Sequence, residues 1–327
     1  MRIGLVGLGV ISKNHIPAIA STGHELVAIC DVKPERITQA VEKYGLADVA
    51  TYTDYTAMLD EAALDVVHIC TPHHLHVPMI CEALSRNIHV FCEKPLAISH
   101  RQLDTLQRAV KASKARLGVC QQNRYNPASR YVKAFIGDRP VTAATATMSW
   151  KRDRAYYDSE DWRGKWDTEG GGVMINQALH TLDLLQWFCG YPVSVKATTS
   201  NLSLSEVIQV EDTAFGCFTL PDGGNFVIHA TNASSFNFPI EIMLRVGDDT
   251  VSLCRNTVTV NGKAVSLEES QPVLGKAEYG AGHPSIIADF YHAIQTDSPF
   301  LLDFDEASKV IRLILGMYES NGQEIVL

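Results

Sequence analysis

Arg2-Ile3-Gly4-Leu5-Val6-Gly7-Leu8-Gly9-Val10-Ile11-Ser12 opens on a short apolar run and passes directly into two glycines one residue apart. Arg2 to Val6 reads as a buried strand, and Asn14 to Ala20 carries a helical pattern. Between them Gly7 suits a tight turn, while Gly9 lets a pyrophosphate approach the backbone at a helix N-terminus. The third glycine of the usual dinucleotide pattern is Ser12 here. That position serves only close helix packing, for which serine is small enough. A second strand, Glu25 to Cys30, ends in Asp31, 24 residues beyond Gly7. A carboxylate there suits the two ribose hydroxyls of NAD and repels the phosphate of NADP. NAD is therefore the expected cofactor and NADP the less favoured one, with Gly7, Gly9, Val10, Ile11 and Asp31 among its contacts.

Outward from this stretch, strands are predicted at Asp65 to Cys70, Ile88 to Cys92 and Arg116 to Cys120. Helices lie between them, near Pro34 to Lys43, Val77 to Asn87 and His100 to Ser113. Alternation of this kind implies α/β architecture with a parallel, doubly wound sheet, whose ligands bind beyond the carboxyl ends of the strands. Two such ends carry Thr71-Pro72-His73-His74-Leu75-His76 and Glu93-Lys94-Pro95, which adds Thr71, Pro72, His76, Glu93 and Lys94 to the cofactor contacts. The histidine cluster raises a metal site, but no carboxylate or cysteine has suitable spacing, so no metal is expected. Lys94, fixed by a following proline, sits where a nicotinamide ring and a substrate would meet; the alternative is an exposed surface lysine.

The second half has a different character. Gln121-Gln122-Asn123-Arg124-Tyr125-Asn126-Pro127 is a polar linker, followed by a helix to about Phe135. Strand patterns run over Val141 to Trp150, Val193 to Ser200, Thr213 to Leu220, Asn225 to Asn232 and Ile240 to Val246, with turn signals at Pro221-Asp222-Gly223-Gly224 and Asn261-Gly262. These imply a meandering antiparallel sheet. A face of it rich in Ala, Thr, Val and Phe suits an oligomer contact, or plain core if helices cover it. Trp162, Arg163 and Trp166 suit a carbohydrate, since indole covers the apolar face of a sugar and arginine reaches its polar groups; otherwise they plug the domain junction. Glu169 leads through Gly170, Gly171 and Gly172 into a predicted helix that ends near Gly190. On it Asn176, His180 and Asp183 stand at i, i+4 and i+7, on one face.

The bulk numbers bound the rest. A chain of 327 residues implies two domains, and a net charge of −9 without basic runs leaves no footprint for nucleic acid. Eight cysteines without a C-x-x-C pair read as buried hydrophobes in a reducing compartment. No apolar run reaches the roughly 18 residues of a membrane span, and the N-terminus reads as a first strand rather than a signal peptide. A soluble, cytoplasmic protein is expected.

Gly7-Leu8-Gly9 with Asp31, then Glu93-Lys94-Pro95, then Gly170-Gly171-Gly172 leading to His180 and Asp183, resemble in order and spacing the glucose-fructose oxidoreductase, inositol dehydrogenase and MocA family. The resemblance runs from end to end. It implies an N-terminal Rossmann domain (residues 1–121) and a C-terminal α/β domain (residues 122–327) with an open, mostly antiparallel sheet. That second domain would bind substrate and make a homodimer or homotetramer. The resemblance also implies NAD(P)-dependent redox chemistry on sugars, cyclitols or their derivatives. Lys94 matches the family lysine that hydrogen-bonds the reacting hydroxyl, and His180 the histidine that accepts or donates the proton. Asn123, Arg124 and Tyr125 fall where the family crosses between domains, a position that implies contact with substrate; the alternative for each is an ordinary linker contact. Asn176 falls where many members have aspartate; an amide orients a hydroxyl but cannot take its proton. His180 is then the general base, Lys94 polarises the oxygen, and Asp183 either holds the imidazole in one tautomer or bonds a buried neighbour. The alternative function is a dinucleotide-binding sensor of the same fold without catalysis, against which the presence of both Lys94 and His180 weighs.

Overall fold

The computed structural model describes residues 1–267 and 281–327. The chain divides into two units. The first comprises Met1–Ala97, Arg101–Gln122 and a later segment ending at Ala307; the second comprises Ile98–His100, the chain from Asn123 onward, and Ser308–Leu327.

In the first unit, short apolar strands alternate with helices that carry one apolar stripe. The elements are β1 (Arg2–Val6), α1 (Ser12–Ser21), β2 (Glu25–Cys30), α2 (Pro34–Tyr44), β3 (Ala50–Tyr52), α3 (Tyr55–Glu61), β4 (Val66–Ile69), α4 (His73–Ser85), β5 (His89–Glu93), α5 (His100–Ala112) and β6 (Leu117–Cys120). The strands form one parallel sheet in the order β3-β2-β1-β4-β5-β6. Strands β4 and β6 are buried at every position, as a sheet covered on both faces requires. The order reverses between β1 and β4, and such a switch point leaves a crevice at the strand carboxyl ends. Pro34 starts α2, and Gly45, at φ 66°, ends it in the left-handed region.

Two of these elements escape a reading of periodicity. Strand β3 is only three residues long and mostly exposed, and α3 has seven residues, too few for a helical stripe to register. What starts α3 is Asp54, whose Oδ1 accepts the Ala57 N–H at 2.8 Å. Helix α4 begins at His73 rather than near Val77, so the histidine cluster forms its first turn.

The second unit contributes α6 (Pro127–Ile136), β7 (Val141–Ser149), α7 (Arg154–Tyr157), α8 (Val173–Asn176), α9 (Leu179–Cys189), β8 (Ser194–Ser200), β9 (Thr213–Thr219), β10 (Asn225–Thr231), β11 (Glu241–Val246), β12 (Asp249–Cys254), β13 (Thr257–Val260) and β14 (Lys263–Ala264). Helix α10 (Gly282–Thr296) returns to the first unit and packs on α1; α11 (Phe304–Ser320) and β15 (Glu324–Val326) close the chain. The nine strands run in the order β14-β13-β12-β11-β7-β10-β9-β8-β15, and among these pairs only β7 and β10 are parallel. Asn261 and Gly262 both take positive φ, 51° and 75°, as a two-residue hairpin loop demands.

Alternation decides what each sheet face does. Ala146, Ile242 and Ile228 lie side by side in register and are buried beneath α9 and its neighbours. On the opposite face Thr145, Met243 and Val227 are paired, and Phe215 sits beside His229. Met243 and Phe215 keep 45% and 47% of their surface exposed there. Among the described residues no helix is long and apolar enough to cross a membrane.

Candidate active site

The first glycine turn is shaped by what surrounds it. Gly7 has φ 89°, and a Cβ there would lie 2.6 Å from the Cys70 carbonyl, so only glycine fits. A Cβ on Gly9 would meet nothing within 4 Å. That open space, at the start of α1, fits the pyrophosphate of a dinucleotide. Ser12, in place of the third glycine, donates its hydroxyl to the Gly9 carbonyl at 2.7 Å and pins the turn. Asp31 is buried; its Oδ2 accepts the Leu8 N–H at 2.7 Å and its Oδ1 the Lys33 N–H at 2.9 Å. The same carboxylate thus braces the loop from both sides. Val10 is exposed at the tip, and Ile11 caps the helix.

At the next two strand ends the loops are tied to each other. The His76 ring, fully buried, meets the Thr71 carbonyl through Nε2 and the Pro95 carbonyl through Nδ1, both at 2.8 Å. Burial lowers its pKa, and a neutral imidazole donates to one of the two carbonyls at a time. His76 therefore links Thr71-Pro72 to Glu93-Lys94-Pro95 from beneath. Thr71, Pro72 and Lys94 remain partly exposed, and Lys94 donates its backbone N–H to Glu93 Oε2 at 3.2 Å. Burial opposes a charge on Glu93, yet the His15 hydrogen bond, reinforced by the charges of His15, His283 and Lys94, holds its carboxyl well below the usual range. His15, on α1, was not picked out from sequence because no motif joins it to Glu93, 78 residues away.

In the second unit the glycine run is a seam between packed atoms. A Cβ on Gly170 would strike Ile98, one on Gly171 the Tyr318 hydroxyl, and one on Gly172 the Glu211 carbonyl. The predicted single helix after it is in fact two. Both Gln177 and Ala178 direct their N–H groups to the Val173 carbonyl, which closes α8 with a wide turn before α9 begins. Gln177 is drawn aside by its amide, which donates to the Tyr156 hydroxyl at 3.0 Å and accepts from Asn232 at 2.9 Å.

Asn176 therefore stands on α8 and His180 and Asp183 on α9, and the three differ in burial. Asn176 and His180 are partly exposed, whereas Asp183 is fully buried and takes the guanidinium of Arg124 at 2.9 and 2.6 Å. Arg124, placed with substrate by the sequence reading, is itself fully buried in this ion pair, and Tyr125 is 4% exposed. Of the three linker residues, Asn123 alone keeps partial exposure. The Asn176 amide donates to the buried Glu169 carboxylate and lies 3.4 Å from the Tyr156 hydroxyl. Glu169 explains why an amide suits position 176, since a carboxylate there would face a second one. Arg163 stacks 4.2 Å from the Tyr156 ring centroid and 4.9 Å from that of Trp162, with Arg152 at 5.0 Å from Tyr156. Trp166, 44% exposed, donates its indole N–H to the Gln209 carbonyl at 3.0 Å.

Comparison with known proteins agrees with this geometry. Residues 1–121 match the oxidoreductase family with an NAD-binding Rossmann fold, and residues 136–267 match the GFO/IDH/MocA C-terminal domain. The chain belongs to the Gfo/Idh/MocA family. The WlbA dehydrogenase from Bordetella pertussis, solved with NADH and UDP-GlcNAcA, is 31% identical with a TM-score of 0.86, over 100% of this chain and 98% of that one. D-xylose 1-dehydrogenase (NADP(+)) 2 of Haloferax volcanii is 24% identical, over 97% of this chain and 95% of its own. Inositol 2-dehydrogenase of Salmonella typhimurium is 36% identical over 101 residues, 30% of each chain. As a Gfo/Idh/MocA member the chain is an NAD(P)-dependent dehydrogenase acting on CH–OH groups, with NAD as its cofactor.

Proposed function

We propose that this dehydrogenase oxidises, reversibly, a secondary alcohol of a sugar derivative that carries a carboxylate, with nucleotide-linked sugar acids first among the candidates. The observation that carries the reading is Lys94, partly exposed at the end of β5 with its backbone N–H on the buried Glu93 carboxylate. In the second unit, the Arg152 and Arg163 guanidiniums around Tyr156 suit an anionic substrate group. The full-length likeness to a dehydrogenase bound to UDP-GlcNAcA supports the same class.

Gly7, Gly9, Val10, Ile11, Asp31, Thr71 and Pro72 would hold NAD, which when bound takes up the hydride leaving the carbinol carbon. Lys94 donates an N–H to the carbinol oxygen and stabilises the charge that develops there. His180 accepts the hydroxyl proton as general base. Asn176, held by Glu169, orients a neighbouring hydroxyl, and Trp162, Arg163 and Trp166 contact the sugar. Asp183 acts at a distance, anchoring α9 through Arg124. This reading assigns residues 1–121 to the cofactor and residues 122–327 to substrate and oligomerisation, in a cytoplasmic homodimer or homotetramer. The exposed sheet face around Phe215 and Met243 supports that assembly.

The test is reduction of NAD, followed by nicotinamide absorbance, with UDP-GlcNAcA, inositol, xylose and levoglucosan as substrates. Lys94→Ala should lower kcat on the oxidised substrate by roughly 10²- to 10³-fold and leave the NAD Kd within about twofold. Full turnover by that variant would refute the role of Lys94. Tight NAD binding without turnover across the panel would favour a sensor.

A further inference from the structure

Beneath Glu93 lies a row of buried polar side chains that the reaction just described does not use. His15 on α1 reaches Glu93 Oε1 through Nε2 at 2.8 Å, and its Nδ1 meets His68 Nδ1 on β4, also at 2.8 Å. His68 Nε2 in turn meets the Tyr291 hydroxyl on α10 at 2.7 Å. His15 and His68 are 0% exposed and Tyr291 is 1% exposed. Four separate elements thus contribute one unbroken chain of hydrogen bonds within the first unit.

The protons in this chain are determined by its end. A carboxylate only accepts, so His15 Nε2 carries a hydrogen. Two Nδ1 atoms in contact must share one hydrogen between them. Burial, and next the charge of His15, push the pKa of His68 well below 6.5 against the pull of Glu93, so His68 is neutral and carries a single N–H. When His15 carries only its Nε2 hydrogen, His68 donates through Nδ1 and the Tyr291 hydroxyl donates to His68 Nε2. Every donor in the row then points toward Glu93. A proton added to His15 would reverse the two outer bonds, which makes the row a single cooperative unit.

Side-chain donors from other elements converge on the same carboxylate. His283 on α10 lies 3.9 Å from Glu93 Oε1, and Cys120 on β6 directs its thiol to Glu93 while its pKa is pushed up by burial. His15, Glu93, Cys120 and His283 could each offer one ligand atom, all within 4.8 Å of one another. Ligands at bonds of about 2.0 to 2.1 Å on a tetrahedral metal stand roughly 3.3 Å apart. The 2.8 Å between His15 and Glu93 is instead the length of a charge-assisted hydrogen bond.

We propose that His15, His68 and Tyr291 are positioning residues: their chain holds the Glu93 carboxylate at the end of β5, and Glu93 in turn fixes the Lys94 backbone through its N–H and gives the adjacent Lys94 ammonium a negative neighbour. The proposal rests on the reading of Lys94 as the group that polarises the substrate oxygen. Loss of His15 leaves Glu93 buried without its main donor, so Glu93 takes up a proton and Lys94 loses a negative neighbour. The other titratable groups around Glu93 are Cys70, Cys92, Cys120, His76 and His283, and all of them stay in place in the variants below.

The experiment is a ¹³C/¹⁵N NMR titration of the Lys94 ammonium and the histidine rings in the NAD-bound full chain. In the wild type, the His68 ring should show its hydrogen on Nδ1. His15→Ala should lower the Lys94 pKa by about one unit, and Tyr291→Phe should lower it by less. His15→Gln, whose amide can donate where Nε2 did, should return Lys94 most of the way to its wild-type titration. If these variants lower only the thermal midpoint and leave the Lys94 titration unchanged, the chain is structural and the proposal is wrong. One equivalent of zinc in the purified protein would also overturn it, with the four side chains as ligands. Turnover by Lys94→Ala would remove the catalytic assignment of Lys94 while leaving the ring and ammonium titrations readable, so the two failures are distinct.

Discussion

Two of the protein's glycine turns, Gly7 to Gly9 and Gly170 to Gly172, are each braced by a carboxylate, and they are built for opposite ends. At Gly7 to Gly9 the brace is Asp31, which accepts the Leu8 N–H, and a Cβ on Gly9 would stand in open space. At Gly170 to Gly172 the brace is Glu211, which accepts the Gly172 N–H at 2.8 Å, the Met174 N–H at 3.0 Å and the Tyr318 hydroxyl at 2.9 Å. There, each added Cβ would strike a packed neighbour. The first turn leaves open space over Gly9, and the second fills the space over all three of its glycines, so that α8 and α9 are packed in position. Glycine alone does not distinguish the two uses; the surroundings do.

The sharpest break of this comparison is Gly172→Ala. Its Cβ would lie 1.8 Å from the Glu211 carbonyl oxygen, and backbone cannot yield as a flexible side chain does. The substitution should cost more than about 4 kcal/mol in urea unfolding, or prevent recovery of folded protein. A loss under about 1 kcal/mol would show the seam to be compliant.

The two braces should also differ in how they respond to pH. Burial pushes the Glu211 carboxyl up to about 7 from 4.5, despite hydrogen bonds from Met174, Gly172 and Tyr318 that pull it down. Between those values the folded protein holds a proton that the unfolded chain has released. Stability from Glu211 is therefore fully present below pH 4.5 and is lost as pH rises through 7, by about 3 kcal/mol in all. His283 acts in the opposite sense. Burial lowers it to about 4 from 6.5, with Glu93 opposing and His15 assisting, so its contribution is lost as pH falls through that window. Comparing Glu211→Gln with wild type at each pH cancels the histidine. The stability advantage of wild type should shrink steadily from pH 4.5 to 8, and a constant difference would show that Glu211 is ionised throughout.

How much of this was legible from sequence follows the same division. The first turn was readable because every part of it lies within 30 residues, Arg2 to Asp31, and obeys one spacing rule: a strand, two glycines, a helix and an acid. The second was readable only as a glycine run. Its brace is 39 residues away along the chain, and Tyr318 is 107 residues beyond that. The break between α8 and α9 was likewise invisible, because apolar spacing continues through it while the Gln177 side chain, held by Tyr156 and Asn232, sets the true geometry. Arg124 and Asp183 looked functional as polar residues beside a site. Their burial against each other is a tertiary fact that composition and periodicity do not carry.

Position 176 tests whether the second turn tolerates an aspartate in place of its amide. Asn176→Asp would set a carboxylate against the buried Glu169, where the amide now donates. The variant should be about 2 kcal/mol less stable than wild type at pH 8 and recover part of that at pH 5, where one of the pair is protonated. Equal losses at both values would mean that the amide is needed for its shape rather than its hydrogen.

The smallest effect on stability is expected at Gly9, and there the comparison becomes most specific. An Ala Cβ at this position meets no atom within 4 Å, so Gly9→Ala should leave unfolding in urea within about 0.5 kcal/mol of wild type. The same methyl group occupies the space through which a pyrophosphate would approach the backbone, and the NAD Kd, followed by nicotinamide fluorescence, should rise at least about tenfold. Gly172→Ala should show the reverse relation, with stability lost first and cofactor affinity a secondary casualty. If Gly9→Ala instead destabilised the protein and left NAD binding unchanged, the open space would have no ligand to hold, and the two turns would differ only in how tightly they are packed.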